Sequence, residues 1–148
     1  MAERLRRLLP ALWAGLLLCV ALIATPAPFA TLASTDAGRV VARIFVQEAW
    51  ISLGVALLLL FIERRRARDA AEAGRGSVLS TEMLLLLGTL FCTIAGHFGI
   101  QPMLPAARSG QGALSFGQLH GLSVLFFGAK TVLVLALAWR ISRPVPSS

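Results

Sequence analysis

Ionisable side chains lie within stretches of the chain that are otherwise apolar. His97 and His120 occupy two such stretches, and Glu48 occupies a third. Imidazoles and carboxylates are ligands for transition metals, and two imidazoles can hold a haem iron between them. The three residues therefore predict a site for copper or haem, with Met103 as a supporting group. The alternative is structural, because two isolated histidines have no metal-binding spacing and can instead form hydrogen bonds between helices.

A second candidate site is centred on Lys130, the single lysine of the chain. An ammonium near the middle of a bilayer costs roughly 2.5–3.5 kcal/mol on insertion scales, so it requires compensation. Snorkelling toward Glu48, backbone carbonyls or a water-filled cavity would each compensate it. The functional interpretation is an intramembrane anion or proton site formed by Lys130, Ser123, Thr93 and Glu48. The structural interpretation is a buried ion pair.

Helical periodicity predicts that the polar side chains of the last two apolar stretches face one another. At 100° per residue, each set covers an arc of about 100–120°. The sets are Glu82, Thr89, Thr93, His97 and Gln101, and His120, Ser123, Lys130 and Thr131. Ionisable groups in membrane helices usually face the interior of a bundle. The rise per residue predicts that Glu48, His97 and His120 lie within a turn of the outer boundary, with Lys130 ~16 Å along its helix.

Four apolar stretches carry these residues, and together they exclude a soluble domain. Hydrophobic residues make up 57% of the 148 residues, charged residues make up 14%, and the mean hydropathy is +0.78. Each stretch is near the ~20 residues that an α-helix needs to span a bilayer. We predict one all-α domain, residues 1–148, folded as an up-and-down four-helix integral membrane bundle. The predicted spans are 8–29, 44–62, 83–100 and 119–141, with a cytoplasmic loop at 63–80 and outer loops at 30–43 and 101–118.

The basic residues predict the orientation of the chain in a bacterial inner membrane. The net charge is +7, and ten of the 14 basic residues flank one side of the predicted spans. Those ten are Arg4, Arg6, Arg7, Arg64, Arg65, Arg66, Arg68, Arg75, Arg140 and Arg143, whereas Arg39, Arg43 and Arg108 lie on the other side. By the positive-inside rule, both termini are cytoplasmic. The first span begins like a secretory signal, but its apolar run is longer than a signal core, so we expect it to be retained.

Composition and motifs exclude several classes of function and partner. The basic residues are not interleaved with aromatic ones and Tyr is absent, so nucleic acid is not an expected partner. The sequence has no P-loop, nucleophile elbow, dinucleotide fingerprint or HExxH motif. Cys19 and Cys92 are expected to be small packing residues within their spans. The expected partners are the lipid bilayer and further copies of the chain.

The order of several motifs resembles that of bacterial domain-of-unknown-function family 4149, which is itself similar to eukaryotic transmembrane protein 205. The motifs are Leu12-Trp13-Ala14-Gly15, Thr25-Pro26-Ala27-Pro28-Phe29, Ala37-Gly38 with Phe45, Pro102-Met103 with Arg108, and Phe116-Gly117-Gln118-Leu119-His120-Gly121-Leu122-Ser123. The resemblance covers nearly the whole chain and implies a four-span membrane protein of unestablished activity. Members often carry an Asn a few residues after the last motif, where this chain has Phe126-Phe127 and then Lys130. A looser similarity in span number and outer histidines is to copper-resistance D type proteins and four-span haem-pathway oxidases.

Three functions are compatible with these observations. The first is a non-enzymatic structural or accessory membrane protein, in which the His and Lys side chains fix helix packing. The second is a haem- or copper-binding membrane protein that uses His97 and His120. The third is a small oligomeric transporter or channel with Lys130 in its pathway.

Overall fold

The computed structural model of the protein describes residues 1–75 and 77–143, and within these ranges it is helical with no strand. Four helical spans are long and apolar enough to cross a membrane, Ala2–Thr31, Ser34–Glu72, Thr81–Arg108 and Phe116–Ser142. The all-α four-helix membrane bundle is therefore confirmed. Residue 76 of the predicted cytoplasmic loop and residues 144–148 of the predicted domain lie outside the described residues.

Two of the four spans are composed of several helical segments. The first contains α1 (Ala2–Cys19), a π-helical segment (Val20–Ala24) and α2 (Pro26–Thr31). The second is one helix, α3 (Ser34–Glu72), and the last is α6 (Phe116–Ser142). The third contains α4 (Thr81–Thr93), a π-helical segment (Ile94–Ile100), a short 3₁₀ segment (Gln101–Met103) and α5 (Leu104–Arg108).

Prolines explain where the π-helical segments occur. Each segment ends two residues before a proline, Pro26 in the first span and Pro102 in the third. A proline has no N–H and its ring clashes with the carbonyl four residues earlier, so the preceding turn must rearrange. In the first span the N–H and the hydroxyl of Thr25 both donate to the carbonyl of Val20, at 2.9 and 2.7 Å.

Serine caps fix the starts of α4 and α6. The hydroxyl of Ser80 accepts a hydrogen bond from the N–H of Met83 at the start of the third span. Ser115 and Gln118 form a reciprocal capping box at the start of α6. Each cap satisfies backbone N–H groups that the first helical turn leaves unpaired.

The helices extend beyond the predicted spans. Helix α3 begins ten residues before residue 44 and ends ten residues after residue 62, so most of the predicted 63–80 loop is helical. Hydropathy marks only the apolar part of a helix, whereas the flanking Ala, Arg and Glu residues are good helix formers without being apolar. The predicted outer loop at 101–118 likewise contains the 3₁₀ segment and α5, and α6 begins at Phe116.

Ion pairs define one end of the bundle, which we call the terminal end. Arg6 contacts Glu63, Arg66 contacts Glu3, and Arg140 contacts Glu82 at 3.1 Å. These pairs join the start of α1, the last turns of α3, the start of α4 and the last turns of α6. The connections after Thr31 and after Arg108 lie at the other end, which we call the opposite end.

The hydrophobic core fills the half of the bundle nearest the terminal end. Leu17, Leu59, Leu86, Val134 and Leu137 are fully buried there, one or more from each span. Gly88 allows α6 to approach closely, because a Cβ atom at this position would lie 3.1 Å from a methyl group of Leu133. Cys92 is buried as predicted, whereas Cys19 is exposed, because its face of α1 does not contact another span.

Candidate functional site

A buried ion pair joins α3 and α6 near the middle of the bundle. The ammonium of Lys130 donates to both carboxylate oxygens of Glu48, at 2.7 and 2.8 Å. Lys130 is 4% exposed and Glu48 is 3% exposed. The ammonium also lies 4.9 Å from the centre of the Phe127 ring, on the face of the ring. Glu48 is therefore the group that compensates Lys130, one of the three possibilities that the sequence left open.

The ion pair belongs to a hydrogen-bonded chain that reaches a third span. The Ser52 hydroxyl, one turn along α3, donates to Oε1 of Glu48. The indole N–H of Trp13 on α1 donates to Ser52 Oγ at 2.9 Å. Trp13 is 2% exposed and Ser52 is fully buried. Since buried polar groups need partners, this chain satisfies the polar atoms of three helices at one level of the bundle.

A cavity of about 570 Å³ lies between this ion pair and the opposite end of the bundle. The first span packs against α6 along α1, whereas its π-helical segment and α2 pack mainly against α3. The space left between the opposite-end half of the first span and α6 forms the cavity. Its apolar walls are Ala21, Phe29, Val41, Ala42, Phe45 and Val124, and Lys130 and Glu48 line its base.

The predicted polar side chains of the third and fourth spans line one wall of the cavity. They are Thr93, His97 and Gln101 from the third span, and His120 and Ser123 from α6. His97 is half-buried and lies edge-on to Phe98, with ring centres 4.9 Å apart. Thr93 is buried, and its hydroxyl donates to the carbonyl of Thr89 at 2.9 Å. Part of each predicted stripe therefore borders the same space, whereas Glu82 pairs with Arg140 at the terminal end, and Thr89 and Thr131 do not line the cavity.

Arg108 and Phe116 form the rim of the cavity at the opposite end. The Arg108 guanidinium lies 4.8 Å from the centre of the Phe116 ring. The His120 imidazole stacks on the same ring, with its centre 5.7 Å from that of Phe116 and an interplanar angle of 12°. A cation over an aromatic face is attracted by the ring quadrupole, so this contact holds the guanidinium at the rim.

The structure commits Glu48 to the ion pair rather than to the predicted metal site with His97 and His120. Both carboxylate oxygens of Glu48 contact Lys130, and one also accepts from Ser52. Within the ranges 1–75 and 77–143, no group of three or more His, Cys, Asp or Glu side chains is placed to hold a metal ion. The haem or copper prediction consequently depends on the two imidazoles, both of which line the cavity.

Comparison with known families gives one match. The sequence profile described as Domain of unknown function (DUF4149) matches residues 8–112, which run from within the first span to just beyond the end of the third. The chain belongs to this family. No curated protein and no solved structure matches the chain significantly. For this DUF4149 member, Trp13, Ser52, Glu48 and Arg108 lie within the matched region, whereas Lys130 lies beyond it on α6.

Three residues of the candidate site, Trp13, Arg108 and Phe116, were not predicted as site residues from the sequence of this DUF4149 member. A signal existed for Trp13, because a buried indole N–H needs an acceptor and Ser52 is one of few hydroxyls in the second span. Arg108 follows a proline-containing segment, and helical periodicity cannot give the direction of a side chain beyond such a segment. Its place at the cavity rim became visible only in the folded chain.

The ion pair predicts strongly non-additive effects of substitution. Lys130→Met leaves a buried carboxylate without its partner, and Glu48→Gln leaves a buried ammonium, so each should lower the free energy of unfolding by about 3–5 kcal/mol. The double variant contains neither charge and should be more stable than either single variant. Equilibrium unfolding of the detergent-purified protein, followed by circular dichroism, measures this cycle. Additive losses in the double variant would show that the two groups do not interact.

Proposed function

We propose that the protein is a non-enzymatic accessory protein of the bacterial inner membrane that holds an apolar or amphipathic ligand in its cavity. The observation that carries the proposal is the cavity itself. Its volume of about 570 Å³ is typical of a site for a small molecule, since such sites range over roughly 300–1,000 Å³. Its walls are largely apolar, with a few polar groups on one side, which is the usual composition of a ligand site.

The arrangement of the charged groups supports a binding role rather than catalysis. The Lys130 ammonium donates to both carboxylate oxygens of Glu48, and Glu48 also accepts from the Ser52 hydroxyl, so both charges are used to join helices at the cavity base. A general base or an activated nucleophile must contact a partner that activates it. The Thr93 hydroxyl on the cavity wall donates to the backbone carbonyl of Thr89 and not to an activating side chain. The chemistry that remains at the wall is hydrogen bonding by the two imidazoles and Ser123.

The ion pairs at the terminal end support an orientation with both termini in the cytoplasm. They bring the basic residues in the first turns of α1 and in the last turns of α3 and α6 to one end of the bundle. Most of the arginines then lie at one membrane surface, as the positive-inside rule requires for the cytoplasmic side. The cavity would consequently open in the outer half of the membrane, and further copies of the chain would contact its lipid-facing surfaces.

The transporter or channel alternative needs a conformational change. The core of Leu17, Leu59, Leu86, Val134 and Leu137 closes the bundle between the cavity base and the terminal end. A substrate that passed Lys130 would have to separate these close-packed side chains. A cavity that is closed at its base can hold a ligand without any such movement. We therefore favour a ligand-holding protein over a transporter or channel.

The cavity predicts selective labelling by an apolar photo-crosslinker. A long-chain alcohol with a diazirine should label partly buried cavity residues such as Phe127 and Phe45 in membranes. In Gly38→Phe this labelling should fall several-fold, because Gly38 lines the cavity and a Cβ atom there meets no atom within 4 Å, so that the phenyl ring fills the cavity. Mass spectrometry of the labelled peptides measures the change.

Gly54→Phe is the matched control for this labelling. Gly54 lies on the same helix, also has open space at its Cβ position, and is exposed outside the cavity. Its substitution should leave the labelling of Phe127 and Phe45 unchanged. Equal labelling of these residues in the parent protein and in Gly38→Phe would contradict ligand holding in the cavity.

The proposed orientation predicts which introduced cysteines react from outside the cell. Ser77 and Ser109 are exposed at opposite ends of the bundle. In a chain that carries Cys19→Ser and Cys92→Ser, we expect a membrane-impermeant maleimide to label Ser109→Cys in spheroplasts. Ser77→Cys should react only after the membrane is permeabilised. The reverse pattern of labelling would place the termini outside.

The haem or copper alternative predicts a spectrum that the ligand-holding proposal does not. If the cavity holds an organic ligand without a metal, purified protein from cells supplied with iron and copper should show no Soret band and well under one metal ion per chain. Absorption of oxidised and reduced samples, with elemental analysis, measures both. A Soret band or stoichiometric copper that disappears in His97→Ala and His120→Ala would establish the metal-binding function instead.

A further inference from the structure

We propose that the cavity binds a single-chain amphipathic anion, with its acyl tail between the first span and α6 and its anionic head on Arg108. This inference names the ligand class for the ligand-holding function and rests on that proposal. The shared chemistry is one acyl chain with a carboxylate or phosphate head. A free long-chain carboxylate and a single-chain phospholipid would both supply it.

Among the described charged side chains that line the cavity, one cation is not paired with an acid and can bind a ligand. Three charged side chains line the cavity, Lys130, Glu48 and Arg108. The first two neutralise each other at the base. The remaining acid at the opposite end, Asp36, contacts Arg39 at 3.0 Å. Arg108 is therefore the positive group that faces the cavity without neutralisation from the described acids, and it is complementary to an anion.

The rim geometry suits recognition of a carboxylate or a phosphate. The Arg108 guanidinium lies 4.8 Å from the centre of the Phe116 ring, and its N–H groups donate to no side chain or carbonyl of the described residues, so they can donate to a ligand. A guanidinium can donate two parallel hydrogen bonds to a carboxylate or phosphate, which a neutral head cannot accept as strongly. Gln101 and His120 line the same part of the cavity and supply further hydrogen-bonding groups for the head.

The length and walls of the cavity suit an acyl chain. Phe116 at the rim and Lys130 at the base are separated by 14 residues of α6, or ~21 Å at the helical rise. Between them the side chains of the first span and α3 are mostly apolar. The lower part is bounded by Phe45 and Phe127, which pack edge to face at 5.2 Å. A narrow, elongated tail matches this space better than a compact molecule does.

The side of the cavity offers a route of entry from the bilayer. Val124 on α6 is 58% exposed and Phe29 on α2 is 49% exposed, although both line the cavity. The gap between the opposite-end half of the first span and α6 therefore opens sideways toward lipid. A membrane-dissolved amphiphile can insert its tail through this gap while its head stays at the interface beside Arg108.

Binding of defined amphiphiles to the full-length protein in nanodiscs tests the proposal. The probes are radiolabelled oleate, oleoyl lysophosphatidate and methyl oleate, with binding to empty nanodiscs subtracted. We expect oleate, lysophosphatidate or both to bind about tenfold more tightly than methyl oleate, the preference typical of one charge-assisted interaction. Arg108→Gln should abolish the preference, and Gly38→Phe should weaken binding of every probe.

Arg43→Gln is the matched control, because Arg43 is an exposed arginine at the same end that does not line the cavity. It should retain the full preference for the anionic probes. A preference for oleate would indicate a free carboxylate as ligand, and a preference for lysophosphatidate would indicate a phospholipid. Both outcomes support the proposal.

Three outcomes would overturn it, and they separate this inference from the function on which it rests. Equal binding of methyl oleate and oleate, still blocked by Gly38→Phe, would leave the cavity as an apolar site and remove the anionic head. An unchanged preference in Arg108→Gln would exclude Arg108 as the head-group site. No saturable binding of any probe, together with no selective labelling by the photo-crosslinker, would contradict ligand holding altogether.

Discussion

A lysine side chain inside an apolar four-helix bundle must be neutralised, and the rest of the structure is organised around that requirement. The free energy of exposing an ammonium to hydrocarbon is large, whereas pairing it with a carboxylate and satisfying both groups by hydrogen bonds removes most of the penalty. Lys130 and Glu48 meet in this way, which fixes the relative height of α3 and α6. Through Ser52 the same chain of hydrogen bonds extends to Trp13 and fixes the first span at that height too.

The level of the ion pair divides the bundle into two halves with different properties. Toward the terminal end, unbroken α-helices pack closely around fully buried leucines, and ion pairs hold the helix ends together. Toward the opposite end, Pro26 and Pro102 interrupt the first and third spans, and π-helical turns replace regular ones. Interrupted helices do not pack as closely, and π-helical turns are frequent beside functional sites. The cavity lies in this half because there the first span follows α3 instead of α6.

Hydropathy and periodicity predicted the helices of this structure better than the relative heights of residues on different helices. Apolar stretches gave the four spans, and 100° periodicity correctly placed Thr93 and His97 on the same cavity as Ser123 and His120. Glu48 was expected near the outer boundary with Lys130 deeper but able to snorkel toward it, and the two side chains are in contact. Hydropathy did not detect the polar start of α3 at Ser34, which places Glu48 about four turns into its helix. The roles of Arg108 and Trp13 in the site depend on contacts between spans. The periodicity of a single span carries no information about such contacts.

The bilayer determines which part of a ligand this cavity can recognise. In water, an apolar cavity selects apolar molecules because binding removes their surface from solvent. A tail already dissolved in lipid gains no such free energy on entering apolar walls, because lipid tails are as apolar as the side chains that replace them. Packing alone would therefore discriminate weakly among the many acyl chains of a membrane. Selectivity has to come from polar contacts that the hydrocarbon lacks, and at the rim of this cavity the un-neutralised group is the guanidinium of Arg108. An anionic head bound there would gain charge-assisted hydrogen bonds, which are roughly twice as strong as those that a neutral head could form.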